Sequence, residues 1–196
     1  MKEISRLALI LTLITAVSAL LLAMVEKVTR EPIAQQRRLV TLSALQAVLP
    51  PADNSPDQDT VTLVTGKDSK GNDVETIFYR GRKGGELTGI AFKAVAPDGY
   101  SGNVSVMVGI EPDGHVSGLA ILQHAETPGL GANIEKASWK DQFKGKGLDN
   151  ADWRVKKDGG SFDQITAATI TPRAVVGAMR RGLEFFKAHK AEIIGG

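Results

Sequence analysis

Asp163-Gln164-Ile165-Thr166-Ala167-Ala168-Thr169-Ile170-Thr171-Pro172 is a threonine-rich turn that runs straight into a helix, with proline near the first helical position. Downstream, Val175, Met179, Leu183 and Phe186 recur at helical spacing, while Arg180, Arg181 and Lys187 fall outside that stripe. The stretch therefore predicts a C-terminal helix that buries one face in a core and has three hydroxyls crowding its start. Open N–H groups at a helix N-terminus, together with the positive end of the helix dipole, suit a phosphate. Thr169 sits where such a phosphate would lie. A plainer reading stays open beside it: Thr171 before Pro172 is an ordinary N-cap followed by a proline at the first helical position.

Upstream of this turn the pattern changes to strands. Val104, Val106, Val108 and Ile110 alternate, Pro112-Asp113-Gly114 turns the chain, and Val116 to Leu122 returns it, which predicts a hairpin. Val61-Thr62-Leu63-Val64 and Thr76-Ile77-Phe78-Tyr79 flank the turn-prone Ser69-Lys70-Gly71-Asn72, and Glu86 to Ala94 is a further strand. The expected fold is α+β, a twisted antiparallel sheet with packed helices. Before the strands, Ile33, Val40, Ala44 and Val48 mark a helix that Pro50-Pro51 closes, and residues 52–60 read as a surface loop.

At the start of the chain, Leu7 to Val25 carries no charge and is long enough to cross a bilayer as one transmembrane helix. A cleaved signal peptide is the alternative, but its apolar core is usually shorter, about 7 to 15 residues. The organisation expected is a membrane anchor over 1–30, a juxtamembrane helix and linker over 31–60, and one domain over 61–196. Lys2 and Arg6 precede the span whereas Lys27, Arg30, Arg37 and Arg38 follow it, so the positive-inside count places the body in the cytoplasm. Long domains can be exported despite such a count.

The composition excludes several classes. The first 30 residues hold four Lys/Arg and two Asp/Glu of the totals of 24 and 22, so the formal charge of +2 belongs to the membrane flanks. The body is formally neutral, and no basic cluster points to nucleic acid. There is no cysteine, which removes disulfides, thiolate catalysis and iron–sulfur ligation. His115, His124 and His189 are scattered without zinc-site spacing, and nucleotide-binding glycine motifs and a hydrolase elbow are absent.

Three motifs carry a family resemblance. Gly99-Tyr100-Ser101-Gly102, then His124-Ala125-Glu126-Thr127-Pro128-Gly129-Leu130-Gly131, then the threonine turn follow one another in the order found in the G subunit of the Rnf complex. The turn resembles the flavinylation motif Asp-x-x-(Ser/Thr)-Gly-Ala-Thr of that family and of its relative, the C subunit of the sodium-pumping NADH:quinone reductase. Ala167 stands where the family usually has glycine, which matters because glycine would admit a positive φ or a close backbone approach. The resemblance implies FMN joined covalently to Thr169 through a phosphoester, with Thr166, Ala167 and Ala168 shaping the motif. It implies that Glu126, Thr127, Gly129, Leu130 and Gly131 line the flavin pocket, and that Asp163 serves recognition by a flavin transferase. It further implies a single-pass protein of the cytoplasmic membrane with its FMN domain on the outer, periplasmic side. The chain would relay electrons among other integral membrane and redox subunits of an ion-translocating complex, without being an enzyme alone. A non-redox anchoring or assembly subunit, or a stand-alone outer-face flavin shuttle, are the alternatives.

Overall fold

The computed structural model describes residues 2–67 and 71–195, and the side chain of Lys2 is not among them. The chain divides into two compact units, Met1–Val40 and Thr41–Gly196. The first is made by helix α1, which runs unbroken over Lys2–Val48. The span and the juxtamembrane segment read separately from the sequence are thus one helix, and Pro32 lies inside it rather than in a first turn. Proline there removes one backbone bond at a cost of about 3 kcal/mol in a helix interior. Apolar side chains are exposed all round α1 from Leu7 to Val28. Among the described residues this is the one helix long and apolar enough to cross a membrane. The hydroxyls of Thr12, Thr15 and Thr29 donate to carbonyls four residues earlier, so their polar groups are satisfied within the helix.

In the second unit five strands form one antiparallel sheet in sequence order: β1 Thr60–Lys67, β2 Asp73–Lys83, β3 Glu86–Gly99, β4 Gly102–Ile110 and β5 Val116–Gln123. The α+β sheet expected from the alternation is present. Of the turn read at Ser69-Lys70-Gly71-Asn72, the first two residues lie outside the described ones. The alternation of β4 places Val104, Val106, Val108 and Ile110 in the main core, against helix α3 (Ile170–Gly195). Met107 faces the other way and packs with Ala91 and with Ala44, Leu45 and Val48 from the last turns of α1. Gly109 is needed there, because a Cβ would lie 2.2 Å from the Val48 carbonyl oxygen. The Ser117 hydroxyl donates to that same oxygen at 2.6 Å.

Between β5 and α3 the chain makes only short helical turns, including α2 (Ala137–Lys140). An aromatic cluster holds this region: Phe143 stacks on Phe162 at 4.7 Å, Trp153 lies 4.7 Å from Phe162, and Trp139 meets Phe143 edge-on. Each indole N–H finds a carbonyl, Trp139 donating to Asp163 and Trp153 to Gly147. Buried Tyr and Trp polar atoms require such partners. The bond from Trp139 ties the aromatic cluster to the first residue of the threonine turn.

Candidate functional site

The threonine turn is held at both ends. At its start, Asp163 accepts from the Trp139 indole through its carbonyl, and its N–H donates to the Gln142 side-chain oxygen at 2.6 Å. Buried Ile165 then accepts from the Ala168 N–H at 3.0 Å, closing a tight turn through Thr166 and Ala167. Ala167 has φ 61°, and among the described residues it is the only non-glycine in the left-handed region. Alanine thus takes the conformation that glycine would adopt without strain.

The first helical bond of α3 runs from the Arg173 N–H to the Thr169 carbonyl at 3.2 Å, so Thr169 occupies the N-cap position. This corrects the simpler reading of Thr171 as cap and Pro172 as first helical residue. Pro172 comes third, and having no N–H it leaves those of Ile170 and Thr171 as the donors at the helix start. The Arg173 guanidinium grips Asp158 with two bonds of 2.7 and 2.8 Å, fastening the first turn of α3 to the preceding loop. That hydrogen bond, with the arginine charge, holds the Asp158 carboxyl below its ordinary range.

Thr171 is fully buried, and its hydroxyl donates to Glu126 Oε2 at 2.7 Å. Glu126, itself only 5% exposed, accepts at Oε1 from the Ser101 N–H at 3.1 Å. One carboxylate therefore joins the β3–β4 turn, the segment after β5 and the start of α3. The Glu126 N–H donates to His124 Nδ1, which fixes the imidazole proton on Nε2, 3.0 Å from Glu135. Gly131 closes over this group, since a Cβ there would lie 2.5 Å from Glu126 Oε2 and 2.8 Å from the Thr171 hydroxyl.

These elements enclose a cavity of about 220 Å³ lined by Glu126, Thr127, Leu130, Gly131, Ala167, Ala168 and Thr169, with Tyr100, Ile170 and Thr171 completing it. Seven of the nine residues singled out from the sequence meet here. Thr166 is exposed and Gly129, at φ 75°, serves the turn; neither lines the cavity. Tyr100, Ile170 and Thr171 were quoted within the motifs without being assigned to the site. The signal for Tyr100 was an aromatic residue set between glycines in a turn, and it is 70% exposed at the rim beside Leu130 and Ile170, which are 41% and 45% exposed. Among the described residues no group of three or more His, Asp or Glu side chains could hold a metal ion.

Residues 99–184 match the FMN-binding domain family and residues 1–48 match the RnfG N-terminal region. The chain is 40% identical over 192 residues to the G subunit of the ion-translocating oxidoreductase complex of Aliivibrio fischeri, covering 95% of this chain and 91% of that protein. It is 42% identical over 193 residues to the protein of the same name from Cereibacter sphaeroides, covering 95% and 85%. In three dimensions it resembles NqrC of Shewanella oneidensis with a TM-score of 0.54, 22% identity, and coverage of 74% of this chain and 76% of that one. The last likeness is one of fold.

Proposed function

The chain belongs to the family of G subunits of ion-translocating oxidoreductase complexes, and from that membership we propose that it relays electrons through FMN joined covalently to Thr169. The observation that carries this reading is the place of Thr169. It is half-buried at the N-cap of α3, in the wall of a cavity that gathers the motifs, with the N–H groups of Ile170 and Thr171 beside it. A phosphate ester on its oxygen would face those donors and the positive helix end.

The residues present fit the cofactor. At about 220 Å³ the cavity is below the roughly 300–1,000 Å³ usual for a whole small-molecule ligand, so it suits part of one. Tyr100, Leu130 and Ile170 offer an exposed apolar rim to the remainder. Bound flavin would supply the electron chemistry, while the chain binds, orients and tunes it. Here Thr169 provides the tether, the Ala167 turn aims it, and the Trp139–Asp163 and Arg173–Asp158 contacts hold the two ends of the loop.

Maturation by a flavin transferase would leave FMN esterified through its phosphate to the threonine oxygen, so that the product differs from the unmodified protein by FMN less one water. The working place is a cytoplasmic membrane, with α1 as the single span and the FMN domain on the outer side. The partners are other integral membrane and redox subunits of the complex. Co-expression with a flavin transferase followed by peptide mass spectrometry tests the tether. An FMN-less-water mass gain on Thr169, absent from Thr169→Ala and kept by Thr166→Ala, is expected. No gain beside a modified control protein would overturn the reading.

A further inference from the structure

Glu126 is a carboxylate buried in the cavity wall and held by two hydrogen bonds, from Thr171 and from the Ser101 backbone. Among the described residues no lysine, arginine or histidine nitrogen forms an ion pair with that carboxylate, and its nearest imidazole, His124, accepts from its backbone instead. A buried acid with two neutral donors and no counter-cation is costly to keep. It could be replaced structurally by a neutral side chain that bridges the same elements. The position also forbids a side chain on Gly131, so the packing is built around the carboxylate.

We infer that Glu126 sets the reduction potential of the flavin in this cavity, and that Thr171 sets how much of its charge the flavin feels. The inference rests on the FMN reading above. Reduction adds negative charge to a bound flavin, and a fixed carboxylate at low local dielectric opposes that addition. The Thr171 hydroxyl, donating at 2.7 Å, partly offsets the carboxylate's field, and removing it leaves the charge barer. The two substitutions therefore act in opposite directions on the flavin, although both act on the same buried hydrogen-bonded pair. A purely structural role for the pair would give them the same sign.

The test is a spectroelectrochemical titration of the full-length, FMN-loaded protein in detergent, as wild type, Glu126→Gln, Thr171→Val and Glu126→Asp. At the wild-type midpoint, Glu126→Gln is expected to raise the ratio of reduced to oxidised flavin roughly tenfold, which is about 30 mV for a two-electron couple. Thr171→Val is expected to lower that ratio, and Glu126→Asp to stay close to wild type because it keeps the charge. Flavin-free samples unfolded in parallel should show the Val variant weakened, since it loses a buried bond, and the Gln variant less so, since an amide can bridge Thr171 and Ser101 in the carboxylate's place. Potentials that stay fixed, or that move the same way in the Gln and Val variants, overturn the inference. Should Glu126→Gln fail to fold, the direction of the Thr171→Val shift decides alone. A wild-type protein that takes up no flavin overturns the cofactor reading itself; loaded protein with unmoved potentials overturns only this inference.

Discussion

Replacing Ala167 by glycine should stabilise the protein. An L-residue in the left-handed region costs roughly 1–2 kcal/mol, and Ala167 sits there at φ 61°. Glycine relieves that strain but gives the unfolded chain more freedom, a loss of about 0.4–1 kcal/mol. Little packing offsets the gain because the Ala167 side chain is exposed. The net effect is about 0.5–1 kcal/mol in favour of glycine, or a melting temperature higher by about 1–4 °C for a domain of this size. Trp139 and Trp153 are both buried in the second unit, so their fluorescence reports its unfolding in the full-length protein. Ala167→Val supplies the converse, since a β-branched residue at this φ is disfavoured further and should melt lower. A glycine variant that melts below wild type would show that only the unfolded-state entropy acts, and the turn would then carry no strain. Flavinylation yield measured on the same pair then reports whether that strain bears on modification.

Gly182→Ala should destabilise the domain despite alanine's helix preference of about 1 kcal/mol. The new Cβ would lie 2.2 Å from the ring of fully buried Phe92, and overpacking of that kind costs about 1–3 kcal/mol or more; chemical denaturation with an unchanged or raised midpoint would refute this. Burial alone would raise the Asp59 carboxyl, but hydrogen bonds and charge from Arg82 and Arg80 outweigh it and hold the group below its ordinary 3.8. Its stabilising effect is therefore present above about pH 4 and lost as pH falls through the lower folded value. Arg80→Ala should flatten that acid-side loss, which unfolding curves at a series of acidic pH values would reveal. His115 moves the opposite way, because its hydrogen bond to Asp113, with the Asp113 and Asp149 charges, raises it above 6.5. Its contribution is full below about pH 6.5 and fades as pH rises through the folded value. His115→Gln should remove that slope, and a slope that persists would assign it to another group.

The sheet was legible where one face is plainly apolar. Val104, Val106, Val108 and Ile110 alternate cleanly, and the second face of β4 was hidden because α1 supplies its cover from outside the strand pattern. β2 is longer than its readable stretch of Thr76 to Tyr79 because Arg80 and Arg82 look like surface residues in sequence. They continue the strand by pairing with Asp59, about twenty residues away in the chain. Residues 132–162, between the two motifs, resisted reading for a related reason: Trp139, Phe143, Trp153 and Phe162 have no regular spacing, and their order arises from ring contacts made only in the folded state.

The same distinction governs the site. Motif order groups Glu126, Leu130 and Thr169, and all three line the same cavity. Local rules misplaced the cap, because Thr171 before proline satisfies every local preference for that position. Its hydroxyl is instead engaged by Glu126, 45 residues upstream, and a helix that began two residues later, with that hydroxyl turned to capping, would leave the carboxylate short of a donor. The buried bond therefore selects the earlier helix start and puts Thr169 at the N-cap, where its side chain meets the cavity. Thr171→Val should therefore loosen the first turn of α3 as well as weaken the fold. Hydrogen exchange at Arg173 and Ala174 would then quicken more than at Met179. Equal acceleration along the helix would mean that Arg173 and Asp158 alone hold the start of α3, and that the position of Thr169 does not depend on Glu126.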